Sequence, residues 1–158
     1  MHKYLVFFIS LALFSCDSKQ VYDQYQSLSG YWSKNNTISF TIKEIDTTKK
    51  YNLFINVRNN NNYPYQNLFL ITNMNFPKGK TITDTLEYEM ANPDGSLKGS
   101  GFGKLKENKL WYKENISFPE KGEYTFSIRQ AMRNREDQNA IDSLAGIIDI
   151  GFRIENTN

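Results

Sequence analysis

Apolar and polar residues alternate along most of the chain from residue 22 onward. Ile38, Phe40 and Ile42 alternate with Ser39 and Thr41. Similar alternating or largely apolar runs lie at 51–57, 68–76, 86–90, 110–118, 124–128 and 148–154, and Tyr22–Leu28 is either a first strand or an extended arm. A period of two is typical of β-strands that bury one face. No segment shows a helical period of any length, so the pattern predicts an all-β chain.

Turn signals separate these runs. The segments 59–62, 77–79, 92–95 and 119–122 are rich in Asn, Asp, Pro or Gly, the residues that favour turns. Gly99, Gly101 and Gly103 predict an irregular strand edge, and the charged segment 132–144 predicts a long loop with at most one helical turn. Eight or nine short strands at this spacing predict a single antiparallel β-sandwich, Ig-like or jelly-roll-like, over residues 22–158.

The first residues have the layout of a bacterial lipoprotein signal. A basic start, Met1–Lys3, precedes the apolar run Tyr4–Phe14, and Leu13 stands three places before Cys16. The run is too short to span a bilayer, which argues against an ordinary transmembrane anchor. We therefore predict a signal peptide at 1–15, a diacylglycerol on the sulfur of Cys16, and a lipid-bearing tether at 16–21.

Composition excludes several classes of function for the mature chain. Without Lys3 the chain has 18 basic and 17 acidic side chains, which argues against a nucleic-acid partner. The only histidine, His2, leaves with the signal peptide, and Cys16 is the only cysteine. Histidine triads and cysteine nucleophiles are thereby excluded, and zinc and copper sites disfavoured. A glycosidase pair at Glu87 and Glu89 is less favoured than surface charge. We expect no catalytic residues, metal or cofactor.

Two segments are candidates for contact with a partner. Pro64 stiffens the aromatic loop Tyr63–Asn67, which suits a binding surface, although the loop could simply cap the sandwich. Arg129, Arg133 and Arg135 form a second candidate patch with Met132, against the alternative of solvated charge.

Trp32 and Trp111 could instead stack on a sugar. Each has a tyrosine beside it, and neighbouring strand residues face opposite sides, so one aromatic of each pair must be core. A carbohydrate-binding surface lipoprotein of glycan uptake is therefore the alternative function. A tryptophan that lines a groove would favour it.

Three short segments resemble the O-glycosylation site of exported Bacteroidetes proteins. Each has Asp followed by a hydroxyl residue: Asp46-Thr47-Thr48, Asp84-Thr85-Leu86 and Asp142-Ser143-Leu144. The candidate acceptors are Thr47, Thr85 and Ser143.

The order of motifs resembles the gliding-motility lipoprotein family GldH of Bacteroidetes. The shared features are the leader ending at Cys16, the Tyr-rich start leading to Trp32, and the segments 57–59, 63–68, 94–95, 99–103, 118–119, 122–124, 130–133, 144–147 and 149–153. The resemblance implies a noncatalytic envelope component required for gliding and linked to type IX secretion. It also implies lipidation, with palmitate, at Cys16.

The resemblance further implies that the chain acts by binding other gliding or secretion envelope proteins, while the lipid anchor holds it to a membrane. The expected interface residues are Arg58, Tyr63, Pro64, Tyr65, Asn67, Met132 and Arg133. The outer membrane is favoured, and Asp17 after the lipidated cysteine keeps the inner membrane open.

Overall fold

The computed structural model describes residues 17–101 and 103–157, so the predicted signal peptide and Cys16 lie outside the described part of the chain. The strands are β1 (Gln20–Ser27), β2 (Tyr31–Ser33), β3 (Ile38–Ile42), β4 (Tyr51–Asn59), β5 (Asn67–Asn75), β6 (Thr81–Glu89), β7 (Lys106–Ile116), β8 (Tyr124–Gln130), β9 (Ser143–Ala145) and β10 (Ile147–Asn156). Among these residues there is no helix with the length and hydrophobicity of a membrane span.

The strands form two four-stranded antiparallel sheets and one small ribbon. The first sheet has the order β1-β10-β4-β7 and the second has the order β3-β8-β5-β6. The ribbon pairs β2 with β9. The predicted all-β sandwich is confirmed, and the eight long strands account for the number expected.

Alternation explains why the two sheets pack together. In β3 the side chains of Ile38, Phe40 and Ile42 are buried, whereas those between them are exposed. Between the sheets, the ring of Phe152 stacks on that of Phe126 with centroids 4.0 Å apart, and it lies 6.2 Å from the ring of Phe40. Burial of one such side chain stabilises the fold by about 2–3 kcal/mol, so the core alone provides a substantial part of the driving force.

The individual elements follow the sequence closely. The apolar run at 68–76 is β5, a central strand with β8 on one side and β6 on the other. Segment 132–144 is a loop that ends in the short strand β9, and its one bridge joins Arg133 to Ala140. A single helical-type turn is closed by the bond from the N–H of Gln138 to the carbonyl of Asn134.

The two ends of the sandwich differ in what they carry. We define the proximal end as the one with residues 17–19, Thr157 and the loops 43–50, 76–80 and 117–123. The distal end carries the connections 28–37, 60–66, 90–105 and 131–146, of which all but 60–66 are longer than any at the proximal end. Long loops on a rigid scaffold are the usual place for binding surfaces. The distal end is therefore the expected position of a binding surface.

The start of the described chain is held against the proximal end. The Arg153 guanidinium binds the Asp17 carboxylate, and the N–H of Gln20 donates to the Asp17 carbonyl at 3.2 Å. The Asn156 N–H donates to the Lys19 carbonyl at 2.8 Å. The residue after Cys16 is therefore part of the folded domain.

Candidate binding cleft at the distal end

A cleft of about 1020 Å³ opens at the distal end, above the outer face of the second sheet. Phe69 and Ile71 of β5 and Thr85 of β6 provide its floor. One wall is the 60–66 loop, and the other is the segment that leaves β8. Lys34 and Asn35 close a third side.

Tyr63 fixes the first wall from inside. Its ring is only 4% exposed, and its hydroxyl donates to the carbonyl of Asn67. Tyr65 packs edge-on against this ring, with centroids 5.9 Å apart. Burial raises the pKa of Tyr63, so the phenol stays protonated and remains a donor. The buried ring therefore holds Pro64 and Tyr65 at the surface in a defined position.

Gln130 fixes the second wall. Its side chain is 1% exposed; Nε2 donates to the carbonyl of Ile141 at 2.7 Å, and Oε1 accepts from the N–H of Met132 at 2.9 Å. The Met132 sulfur in turn accepts from the N–H of Phe69 at 3.2 Å. Buried polar groups with all partners in place hold a loop rigidly, so the cleft is preformed.

Four cationic side chains line the cleft. Arg129, Arg133, Arg135 and Lys34 line it, and its described lining contains no Asp or Glu. Lys34 has a partner, since its Nζ lies 2.5 Å from the carboxylate of Asp142. Arg133 donates to the carbonyl of Gln138 at 2.9 Å. Within residues 17–101 and 103–157, no carboxylate forms an ion pair with any of the three arginines.

The structure brings the two predicted patches into one place. The loop around Pro64 and Tyr65 and the segment around Met132 and Arg133 lie on facing walls of the cleft. Asn67 also lines it, and Tyr63 supports it from below. Sequence reasoning singled out both segments without placing them together.

Arg58 lies elsewhere, on the outer face of the first sheet. Its guanidinium stands 4.1 Å above the Tyr25 ring and between the carboxylates of Glu107, at 3.6 Å, and Asp149, at 3.5 Å. The Tyr25 hydroxyl donates to Glu107 at 2.8 Å. Burial and this contact raise the pKa of Tyr25 to about 12. These mutual contacts give Arg58 a role within the sheet.

The two tryptophans have separate positions. Trp32 is fully buried and its Nε1 donates to the carbonyl of Asn36 at 2.9 Å. Trp111 is 56% exposed and rests on Phe54 with ring centroids 4.5 Å apart. In the first pair Trp32 is core and Tyr31 is exposed, as expected, whereas in the second pair Tyr112 is only partly buried against the core. Trp111 does not line the distal cleft.

The glutamates considered as a glycosidase pair both have partners on the protein surface. Glu87 and Glu89 lie on the exposed face of β6, where Glu87 accepts from Asn67 and Glu89 pairs with Lys98. Among the described residues no three Asp, Glu, His or Cys side chains come together as a metal site.

The three candidate glycosylation acceptors have different surroundings. Thr47 lies in the proximal 43–50 loop and is half-buried, whereas Ser143 is exposed on β9. Thr85 is exposed on β6 and lines the distal cleft. A glycan on Thr85 would therefore occupy the cleft floor.

Sequence reasoning did not identify the floor of the cleft or its central support. Phe69 and Ile71 read as strand residues, and only the pairing of β5 with β6 and β8 shows that their outer face is covered by loops. The sequence does offer a signal for Gln130, which continues the inward-facing row of Phe126 and Ile128. A glutamine at a buried position needs hydrogen-bond partners for both its polar atoms.

Residues 20–154 match the model of the GldH lipoprotein family. That range contains all eight long strands apart from the last residues of β10. The chain belongs to the GldH lipoprotein family. The predicted resemblance is confirmed.

Two curated relatives match this chain over nearly their whole length. A gliding motility lipoprotein GldH homolog from Christiangramia forsetii is 54% identical, covering 97% of this chain and 94% of the relative. A gliding motility lipoprotein GldH from Flavobacterium johnsoniae is 51% identical, and the match covers 92% of this chain and 91% of the relative.

Solved structures give weaker similarities. A family GH115 4-O-methyl-α-glucuronidase has a TM-score of 0.45 and 12% identity, covering 91% of this chain and 18% of that enzyme. The infectious bursal disease virus VP2 subviral particle has a TM-score of 0.39 and 13% identity, and the match covers 88% of this chain and 30% of the viral chain.

Proposed function

We propose that this chain is a lipid-anchored, noncatalytic envelope component of the gliding motility machinery, linked to type IX secretion, which acts by binding another envelope protein. The names of the two relatives support the link to gliding. The anchor is a lipid on Cys16, and the outer membrane is the favoured location.

The distal cleft is the observation that carries the binding role. It is preformed by Gln130 and Tyr63, and it collects both segments that the sequence marks as partner-binding. A partner docked there would contact rigid walls and would lose little entropy to loop ordering.

The position of the cleft suits an anchored adaptor. Asp17 is held at the proximal end by Arg153, whereas the cleft lies at the distal end. A lipid at Cys16 would therefore place the membrane at one end and the cleft at the other. Confinement to a membrane surface raises the effective concentration of the cleft near envelope partners.

Affinity purification from the native bacterium tests the proposal. The full-length tagged lipoprotein is extracted in mild detergent and compared with Ala140→Trp, which fills the cleft from an exposed position. Lys121→Trp, at the proximal end, is the matched control. We expect the wild type and the control to retain envelope partners and to restore colony spreading in a deletion strain, and Ala140→Trp to lose both. Unchanged partners and spreading in Ala140→Trp would contradict the proposal.

A further inference from the structure

The charged side chains that line the distal cleft are all cationic. Arg129, Arg133 and Arg135 are exposed at its margin, and the described lining contains no carboxylate. Elsewhere in the described chain, Arg58 and Arg153 each lie between acidic side chains. The arginines of the cleft therefore differ from the other arginines in lacking an internal anion.

Arginine is the side chain best suited to bind carboxylates. Its planar guanidinium offers two parallel N–H donors that match the two oxygens of Asp or Glu. The three arginines stand on one strand end and the loop that follows it, so they offer several donors along one side of the cleft.

The floor has a different chemistry. Phe69, Ile71 and Tyr65 are half-buried and present apolar surface within the cleft. An apolar side chain that enters would be stabilised by removing its surface and that of the floor from water. The cleft thus combines an apolar centre with a cationic margin.

We infer that the occupant of the distal cleft is an acidic segment of a partner protein, with an apolar side chain on the Phe69–Ile71 floor and carboxylates on the arginines. The inference rests on the proposed function and names the chemistry of the partner. Complementary charge of this kind raises the association rate and selects the partner more than it adds affinity.

Photo-crosslinking in the native bacterium tests the inference with the full-length lipoprotein. The exposed Gln66 at the cleft wall is replaced by p-benzoylphenylalanine, and the crosslinked peptide is sequenced by mass spectrometry. We expect a peptide with several Asp or Glu residues around an apolar one. A second variant carries Arg133→Glu and Arg135→Glu in addition to the photo-crosslinker at position 66. We expect about a tenfold lower crosslink yield from it, since both arginines would then repel the carboxylates of an acidic segment instead of attracting them. Lys104→Glu, exposed at the distal end outside the cleft lining, is the control and should leave the yield unchanged.

The outcomes separate the two proposals. A neutral or basic crosslinked peptide, or an undiminished yield in the double variant, would overturn the acidic segment and leave protein docking intact. A crosslink to polysaccharide or lipid, or no crosslink from position 66, would overturn docking in the cleft itself.

Discussion

Arg153 connects three carboxylates at the end of the domain closest to Cys16. Its guanidinium binds Asp17, lies 2.6 Å from the carboxylate of Asp23, and donates to Glu155 at 2.7 Å. The Arg153 side chain is only 12% exposed and that of Glu155 only 11%. Charges this close to the interior need their partners, because an unpaired one loses hydration without compensation.

Replacement of Arg153 by Ala should therefore destabilise the domain. We expect the free energy of unfolding to fall by about 2 kcal/mol, less than for a fully buried pair because Asp17 is exposed to water. Urea unfolding of the full chain measures this. Arg135→Ala, an exposed arginine without a carboxylate partner among the described residues, should change it by less than about 0.5 kcal/mol. Equal effects of the two changes would contradict this role of Arg153.

The same site predicts a pH dependence. Burial alone would raise the pKa of Glu155, but hydrogen bonds from Lys109 and Arg153 outweigh it and lower that pKa. A carboxyl with a lower pKa in the folded chain stabilises it fully above its unfolded pKa, and this contribution is lost as the pH falls through the folded pKa. Wild-type stability should thus decrease below about pH 5, as followed by urea midpoints at several pH values. Arg153→Ala should lose less stability over this range, and an equal loss would contradict the assignment.

At the scale of elements, Gly146 joins three distal segments. Its N–H donates to the carbonyl of Gly30 and its carbonyl accepts from the N–H of Asn60, both at 2.9 Å. A Cβ at this position would lie 2.2 Å from the backbone nitrogen of Tyr63. The backbone of the cleft wall can approach β10 only because residue 146 is glycine, with φ of 86°.

Gly146→Ala should consequently be strongly destabilising, by about 3 kcal/mol, because the clash is with backbone atoms and the left-handed φ adds strain. Gly95→Ala provides the comparison, since φ is 87° there but a Cβ would meet nothing within 4 Å. That change should cost about 1 kcal/mol. Urea unfolding of the two variants checks the difference. Similar losses would show that the close approach at Tyr63 does not matter.

The strands could be predicted from the sequence, whereas the cleft could not. A long strand such as β3 can be recognised locally, because Ile38, Phe40 and Ile42 must all face the core. The short strands β2 and β9 show no such pattern and were not predicted. The surroundings of Arg58 depend instead on the register that places Asp149 and Glu107 on either side of it. The joining of two loops over Phe69 likewise depends on which strands become neighbours. Such contacts between distant segments leave no periodic signal in one sequence.

For the whole molecule, the separation of the two ends is the central feature. β1 begins at Gln20 and Asp17 is bound to the sheet, so a lipid at Cys16 would attach with little free chain. The domain would then stay close to the membrane and present its distal loops away from it. A scaffold of this form can act by holding a partner at the cell boundary.

Thiol labelling of native envelopes tests this account most directly, because Cys16 is the only cysteine in the chain. We predict that the wild type does not react with a maleimide, since its sulfur carries the lipid. We also predict that Gln66→Cys in the cleft is protected in intact envelopes and reacts once high salt or detergent removes the partner, whereas Lys104→Cys reacts in both states. A reactive Cys16, or equal labelling of Gln66→Cys before and after dissociation, would contradict the account.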